Sequence, residues 1–232
     1  MKSPRSLPSE GSWDGKSAVI VGGGPSLKVF DWSKLLGSPL RSIAINGAYQ
    51  SLPNATIWFT EDARVVSRFG PLEDFQSFQG IKLLHLLDEG YLPEITPYLD
   101  QLTIIPKKQN AKFWSKRWED GLSVSSNSGI GALNVADLLG ASTIFLLGFD
   151  CRSDSSTVEN FHSLYPKDWA VGAGVLADYA SDFKHWAALH LRHRKVVNVV
   201  NPAYPSALDC WERISYEDFY NVVLHAELSR PV

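Results

Sequence analysis

VIVGGGPSL, residues 19–27, sets a run of β-branched residues against three glycines, a proline and a serine. A buried strand that runs into glycines and leaves through a helical pattern is the opening unit of a parallel α/β sheet. The rest of the chain repeats that alternation. Short apolar runs stand at 17–22, 41–45, 56–60, 81–87, 102–106, 142–148 and 195–200. Several are apolar throughout, as strands covered on both faces are. Between them, Ser26–Leu36, Ile130–Leu139, Val171–Leu191 and Tyr216–Leu228 space their apolar residues at helical intervals. The pattern predicts a Rossmann-like α/β fold: a mainly parallel sheet with helices on both faces, in a single domain.

Composition sets limits on the function. At 232 residues, with 44% hydrophobic residues and eight tryptophans, the chain can bury one sizeable core. A net charge of −3 gives no general attraction to nucleic acid or anionic lipid. No apolar run approaches the roughly 20 residues that span a bilayer, and the polar start lacks the apolar core of a signal peptide. Cys151 and Cys210 are too few for a disulfide scaffold or zinc cluster, so a cytoplasmic protein is expected. Residues 1–15, with four serines and two prolines, read as a flexible or loosely docked arm ahead of a domain over 16–232. A basic and aromatic insertion interrupts that domain at about 106–128.

The glycine turn has the makings of a phosphate seat, where backbone N–H groups and a helix N-terminus meet. Gly22, Gly23 and Gly24 allow close ligand approach, Pro25 suits a first helical turn, and Ser26 is a potential cap. Leu27 replaces the third glycine of a dinucleotide fingerprint, and Asn46 rather than an acidic residue ends the second strand, which counts against NAD. No Gly-Lys-Ser/Thr follows, which counts against a P-loop. Asn46 has the groups to bond a ribose hydroxyl, a base edge or a phosphate, or to serve only as a turn amide. A second seat lies in residues 126–151: Asn127 and Ser128 precede Gly129 and a small-residue helix, which leads into a strand ending in Gly148-Phe149-Asp150. Ligands of such sheets sit beyond the strands' carboxyl ends, where Asp150 falls.

G-x-G-P-S-L at 22–27, Asn46 at the second strand end, and S-G-x(18)-G-x-D at 128–150 together resemble a superfamily joining bacterial sialyltransferase-like glycosyltransferases to 6-hydroxymethylpterin pyrophosphokinase-like proteins, with members in bacteriophages. The resemblance implies a glycosyltransferase. A nucleotide-activated sugar, CMP-, UDP- or GDP-linked, would be held by Gly22, Gly24, Ser26, Asn46, Ser128 and Gly129, with no tightly bound cofactor. It also implies a histidine base after the G-x-D strand, for which His162 in Asn160-Phe161-His162 is the candidate, with Asp150 beside the site. A histidine near neutral pKa takes the acceptor hydroxyl's proton in an inverting displacement. Tyr165 is the implied phosphate contact.

Metal dependence stays open. Glu61-Asp62 ends a strand where glycosyltransferases often hold a divalent ion, but D-x-D is absent. An ATP-dependent pyrophosphokinase would need Mg²⁺, through Asp62, Asp150 or both. A non-catalytic nucleotide-binding protein is the further alternative. Lys112, Trp114, Lys116, Arg117 and Trp118 mix cations with stacking rings, as an acceptor site for a glycan or a modified DNA base would, or as a solvated helix with a buried aromatic edge does. His185, His190 and His193 read as solvated or capping residues.

Overall fold

The computed structural model describes residues 6–107, 114–122, 127–152, 160–162, 164–166, 169, 172–204 and 206–228. Eight strands form one sheet: β1 Ser17–Val21, β2 Arg41–Ile45, β3 Ile57–Thr60, β4 Ile81–His85, β5 Thr103–Ile105, β6 Thr143–Leu147, β7 Lys195–Val200 and β8 Glu212–Ser215. Their order is β5-β4-β3-β2-β1-β6-β7-β8, and every pairing is parallel. Seven of the eight follow the apolar runs in sequence. β8 escapes that reading because ERIS is an edge strand with no apolar run.

Alternate residues of each strand feed two cores. Val19, Val21, Ala44, Trp58, Leu84, Phe145 and Leu147 belong to one, while Ala18, Ile20, Ile43, Ile57, Leu83, Ile144 and Leu146 belong to the other. A strand buried on both faces has no polar register to alternate with, which is why these runs are continuously apolar. The first core is covered by α1 Ala63–Phe69, α2 Glu73–Ser77, α3 Leu92–Ile95 and α7 Tyr216–Leu228. The second is covered by α4 Ser128–Leu138 and by α5 Ala173–Asp182, continued through a π-helical turn at Phe183–Ala187 and α6 Ala188–His190. None of these helices is long and apolar enough to cross a membrane among the described residues.

The helical spacing of Ser26–Leu36 resolves instead into two 3₁₀ turns, Pro25–Val29 and Trp32–Lys34, with Phe30 extended between them. Phe30 inserts among the rings of Trp32, Tyr216, Phe219 and Tyr220, at centroid distances of 5.0 to 6.3 Å. That aromatic anchor interrupts the helix.

α4 is buried on all sides from Gly129 to Leu138, so its polar residues need partners. Asn134 exchanges two hydrogen bonds with the backbone of Ser115. Asp137 Oδ1 accepts from Arg194 Nε at 2.8 Å and meets His193 Nε2 at 2.9 Å, and its Oδ2 accepts from Trp114 Nε1 at 2.8 Å. Burial pushes the Asp137 carboxyl up, but these bonds outweigh it and hold it below the usual carboxylate range. His193 is thereby a salt-bridge partner, and His190 stacks on Trp114 at 5.6 Å. Asp137→Ala should cost about 3 kcal/mol, because it strands buried donors and the Arg194 charge. A urea titration checks this. The stabilisation is present above the carboxyl's unfolded-state pKa, about 3.9, and is lost as pH falls through the depressed folded-state value.

Residues 6–15 lie along the C-terminal end of α4. Trp13 is buried, its N–H donates to Leu139 O, and Gly11 N–H donates to Leu138 O.

Candidate active site

The strand order reverses between β1 and β6: β2 to β5 extend one way from β1, and β6 to β8 the other. At such a switch point the loops leaving two neighbouring strands part and open a crevice at their carboxyl ends. A cleft of about 390 Å³ lies there. Its walls include Gly22, Gly23, Gly24 and Pro25 after β1; Asn46 after β2; Glu61, Asp62 and Arg64 after β3; Asn127, Ser128 and Gly129 opening α4; and Gly148, Asp150, Asn160, His162 and Tyr165 after β6. The two glycine-rich bends, over 100 residues apart in sequence, thus face one space.

Their amides are largely committed within the protein. Gly22 N–H donates to Leu147 O and Gly24 N–H to Gly148 O. Ser26 N–H donates to Asp150 Oδ2 at 2.8 Å. Ser26 itself is buried behind the turn and does not line the cleft. After β1 the chain enters a short 3₁₀ turn in place of the expected helix N-terminus, locked to the end of β6 through the Gly22, Gly24 and Ser26 amides. Asp150 is the lock: 4% exposed, with its pKa raised by burial against the opposing Ser26 hydrogen bonds. At the second seat, Asn127 rather than Ser128 caps α4, accepting from Gly129 N–H at 2.9 Å and Ile130 N–H at 3.2 Å. Ser128 Oγ instead accepts from Glu61 N–H at 3.2 Å.

The segment 160–162 folds back over the turns after β1 and β2. Phe161 N–H donates to Gly23 O at 3.1 Å, and its ring packs on Trp32. The His162 ring sits on Gly47, where a Cβ would lie 2.5 Å from its Nε2. It meets Tyr165 edge-on at 4.8 Å. Burial pushes the imidazole pKa down to about 4, so it is neutral at pH 7. Its Nδ1 has no hydrogen-bond partner among the described residues. Burial raises the Tyr165 hydroxyl's pKa, against hydrogen bonds from the Asn46 side chain and Gly47 backbone. Asn46 adopts φ 52°, a left-handed turn conformation that Asn tolerates better than most residues, and its carbonyl accepts from Trp58 Nε1 at 2.7 Å.

Asp62 caps α1 through Arg64 N–H at 2.9 Å and binds the Arg64 guanidinium with both carboxylate oxygens. Arg64 lies over Trp169, 5.1 Å from the ring centroid. Arg64 and Arg152 bring positive charge to the wall. Among the described residues no three His, Cys, Asp or Glu side chains gather as a metal site.

The acceptor candidates do not join this cleft. Lys112 lies outside the described residues. Trp114 is buried on Asp137, and Trp118 is buried with Nε1 donating to Pro8 O at 2.8 Å. Asp137 stands nine residues along α4 from Ser128, about 13 Å at the α-helical rise. Lys116 and Arg117 are exposed, with Arg117 paired to Glu119. Indole burial and chain docking thus employ the aromatic residues read as a stacking surface. Sequence reasoning missed Gly47, Arg64, Arg152 and Trp169. The Asn46-Gly47 dipeptide signalled a tight turn; the other three carried no local signal.

No protein family matches the chain, and no curated protein matches it significantly. Among solved structures it is similar to the sialyltransferase CstII from Campylobacter jejuni in complex with a substrate analogue, cytidine-5'-monophosphate. That similarity has 20% identity over 58% of this chain and 68% of that one, with a TM-score of 0.38. It is also similar to monomeric CstII, at 17% identity over 79% of this chain and 80% of that one, with a TM-score of 0.44.

Proposed function

We propose that the cleft binds a nucleotide-activated sugar and transfers its glycosyl group to an acceptor hydroxyl. The supporting observation is convergence: the turn after β1, Asn46, the first turn of α4, Asp150 and the buried neutral His162 all meet at the switch point of the sheet. In this reading the acceptor oxygen attacks the anomeric carbon and the bond from that carbon to the phosphate oxygen breaks. The nucleotide departs with the electron pair, and His162 takes the hydroxyl proton. Tyr165 O–H and the Arg64 guanidinium meet the charge growing on the phosphate. Gly22, Gly23, Gly24 and Gly129 line the nucleotide's seat with backbone alone, since a Cβ on any of them would meet neighbouring protein atoms, and Asn46 orients the nucleotide. Asp150 acts indirectly, by holding the turn after β1 in place.

A thermal-shift screen of CMP-, UDP- and GDP-sugars beside ATP, with and without Mg²⁺, tests the assignment. One nucleotide-sugar at 100 times its Kd should stabilise the fold by about 2.7 kcal/mol, a shift of several degrees. Stabilisation by ATP and Mg²⁺ alone would point to diphosphate transfer.

A further inference from the structure

Glu61 follows the last residue of β3, one residue before Asp62, and is 8% exposed although it lines the cleft. Its backbone is tied to α4 through Ser128. Its Oε1 meets Nδ1 of His85 at 3.0 Å, and His85 is wholly buried at the end of β4. α4 comes so near that a Cβ on Gly131 would lie 2.7 Å from Oε1. Oε2 is left with no partner among the described residues. Burial raises the Glu61 pKa, against the pull of His85.

We propose that Glu61 Oε2 accepts a hydrogen bond from the nucleoside part of the bound nucleotide, with His85 as the positioning residue that fixes the carboxyl. The inference rests on the nucleotide-binding reading of the cleft. Where a single proton bridges Oε1 and Nδ1, Oε2 presents lone pairs only. A buried acceptor without a partner costs about 1–3 kcal/mol, which a ligand donor recovers. A phosphate diester or dianion has no hydrogen to give, so the donor is a base N–H, exocyclic or in the ring, or a ribose hydroxyl. Glu61, rather than the Arg64-bound Asp62, is then the carboxylate that reads the ligand.

Calorimetric titration with matched nucleotides separates the two donor sources. CMP against UMP and AMP against IMP exchange the exocyclic amine for a carbonyl beside a ring N–H; CMP against 2'-deoxy-CMP and 3'-deoxy-CMP remove each hydroxyl. The folded wild-type protein should discriminate between the members of at least one pair by about tenfold, in favour of the hydroxyl-bearing member where the pair differs in a hydroxyl, equivalent to about 1.4 kcal/mol. In Glu61→Gln and Glu61→Met that ratio should fall towards one, while the ratios of the other pairs stay unchanged. Because each ratio is taken within one protein, a general loss of affinity cancels. If Glu61→Met does not fold, Glu61→Gln supplies the same comparison. Wild-type ratios that persist in the variants overturn the role of Glu61 and leave the nucleotide site standing, as does discrimination confined to a preference for the deoxy member of a hydroxyl pair. Binding of no nucleotide by folded wild-type protein overturns both.

Discussion

His162→Ala is expected to lower glycosyl transfer by about 10²–10⁴-fold while leaving nucleotide binding within a few-fold of wild type, the range that removing a general base produces. Single-turnover transfer and calorimetric titration of the same preparations check the two halves. His162→Gln fills the space over Gly47 without supplying a base of comparable strength, and should show the same loss of rate. This separates proton transfer from packing. The pH profile gives a second signature. An imidazole of ordinary pKa, 6.5, would lose activity below neutrality, whereas burial lowers His162 to about 4. The group is neutral, and able to accept a proton, throughout the interval between those values, so kcat/KM should hold from pH 8 to about 5 and fall as pH approaches 4. Folding moves the other way. The unfolded chain takes up the proton first as pH drops from 6.5, so stability declines over that window. A rate loss centred near pH 6.5 would remove His162 from the role of base.

Gly24→Ala is expected to cost about 2–3 kcal/mol of stability and to abolish most nucleotide binding. Gly24 has φ −63°, which any residue adopts, so the constraint is space and not backbone freedom. A Cβ there would lie 2.4 Å from Asp150 Oδ2 and 2.6 Å from Gly148 O. The second atom belongs to the backbone at the end of β6, and it also accepts the Gly24 N–H. Neither can retreat without parting the turn from the strand that forms the opposite wall of the cleft. If about 2 kcal/mol of that strain falls on the binding-competent form, affinity drops about 30-fold. Gly174→Ala provides the contrast. Gly174 lies in α5 with nothing within 4 Å of its added Cβ, so the same substitution should stabilise slightly, by up to about 1 kcal/mol. Equal effects at the two positions, measured by urea unfolding, would show that close packing at the turn is not what Gly24 provides.

The sheet was legible because its strands are covered on both sides. SAVIV, RSIAI and TIFLL are each almost wholly apolar, and a stretch of that length bounded by glycine or polar residues has few other places to go. The same rule explains the omission of β8, whose exposed ERIS residues look like loop. Helical spacing was a good guide at α4 and α7. It misled at Ser26–Leu36, where the rings around Phe30 decide the backbone, and those rings come from the far end of the chain. At Trp114 and Trp118 the sequence left two readings open, a stacking surface and a buried aromatic edge. Trp114 and Trp118 look like stacking platforms in isolation, yet Asp137 and Pro8 take their indole N–H groups and the core takes their faces.

The amino-acid sequence by itself determined the α/β class, the parallel sheet, and the residues from the turn after β1, the end of β2, the opening of α4 and the loop after β6 that converge on one cleft. These are local matters: a strand run, a glycine turn and a cap each depend on neighbours within a few residues. Tertiary structure alone decided how those groups are spent. It committed the Gly24 and Ser26 amides to the end of β6, buried His162 until its imidazole stays neutral, and paired Glu61 with His85 while leaving the buried Oε2 without a partner among the described residues. Charge state and hydrogen-bond partnership depend on burial and on which distant strands become neighbours, and both arise only when the chain has closed on itself.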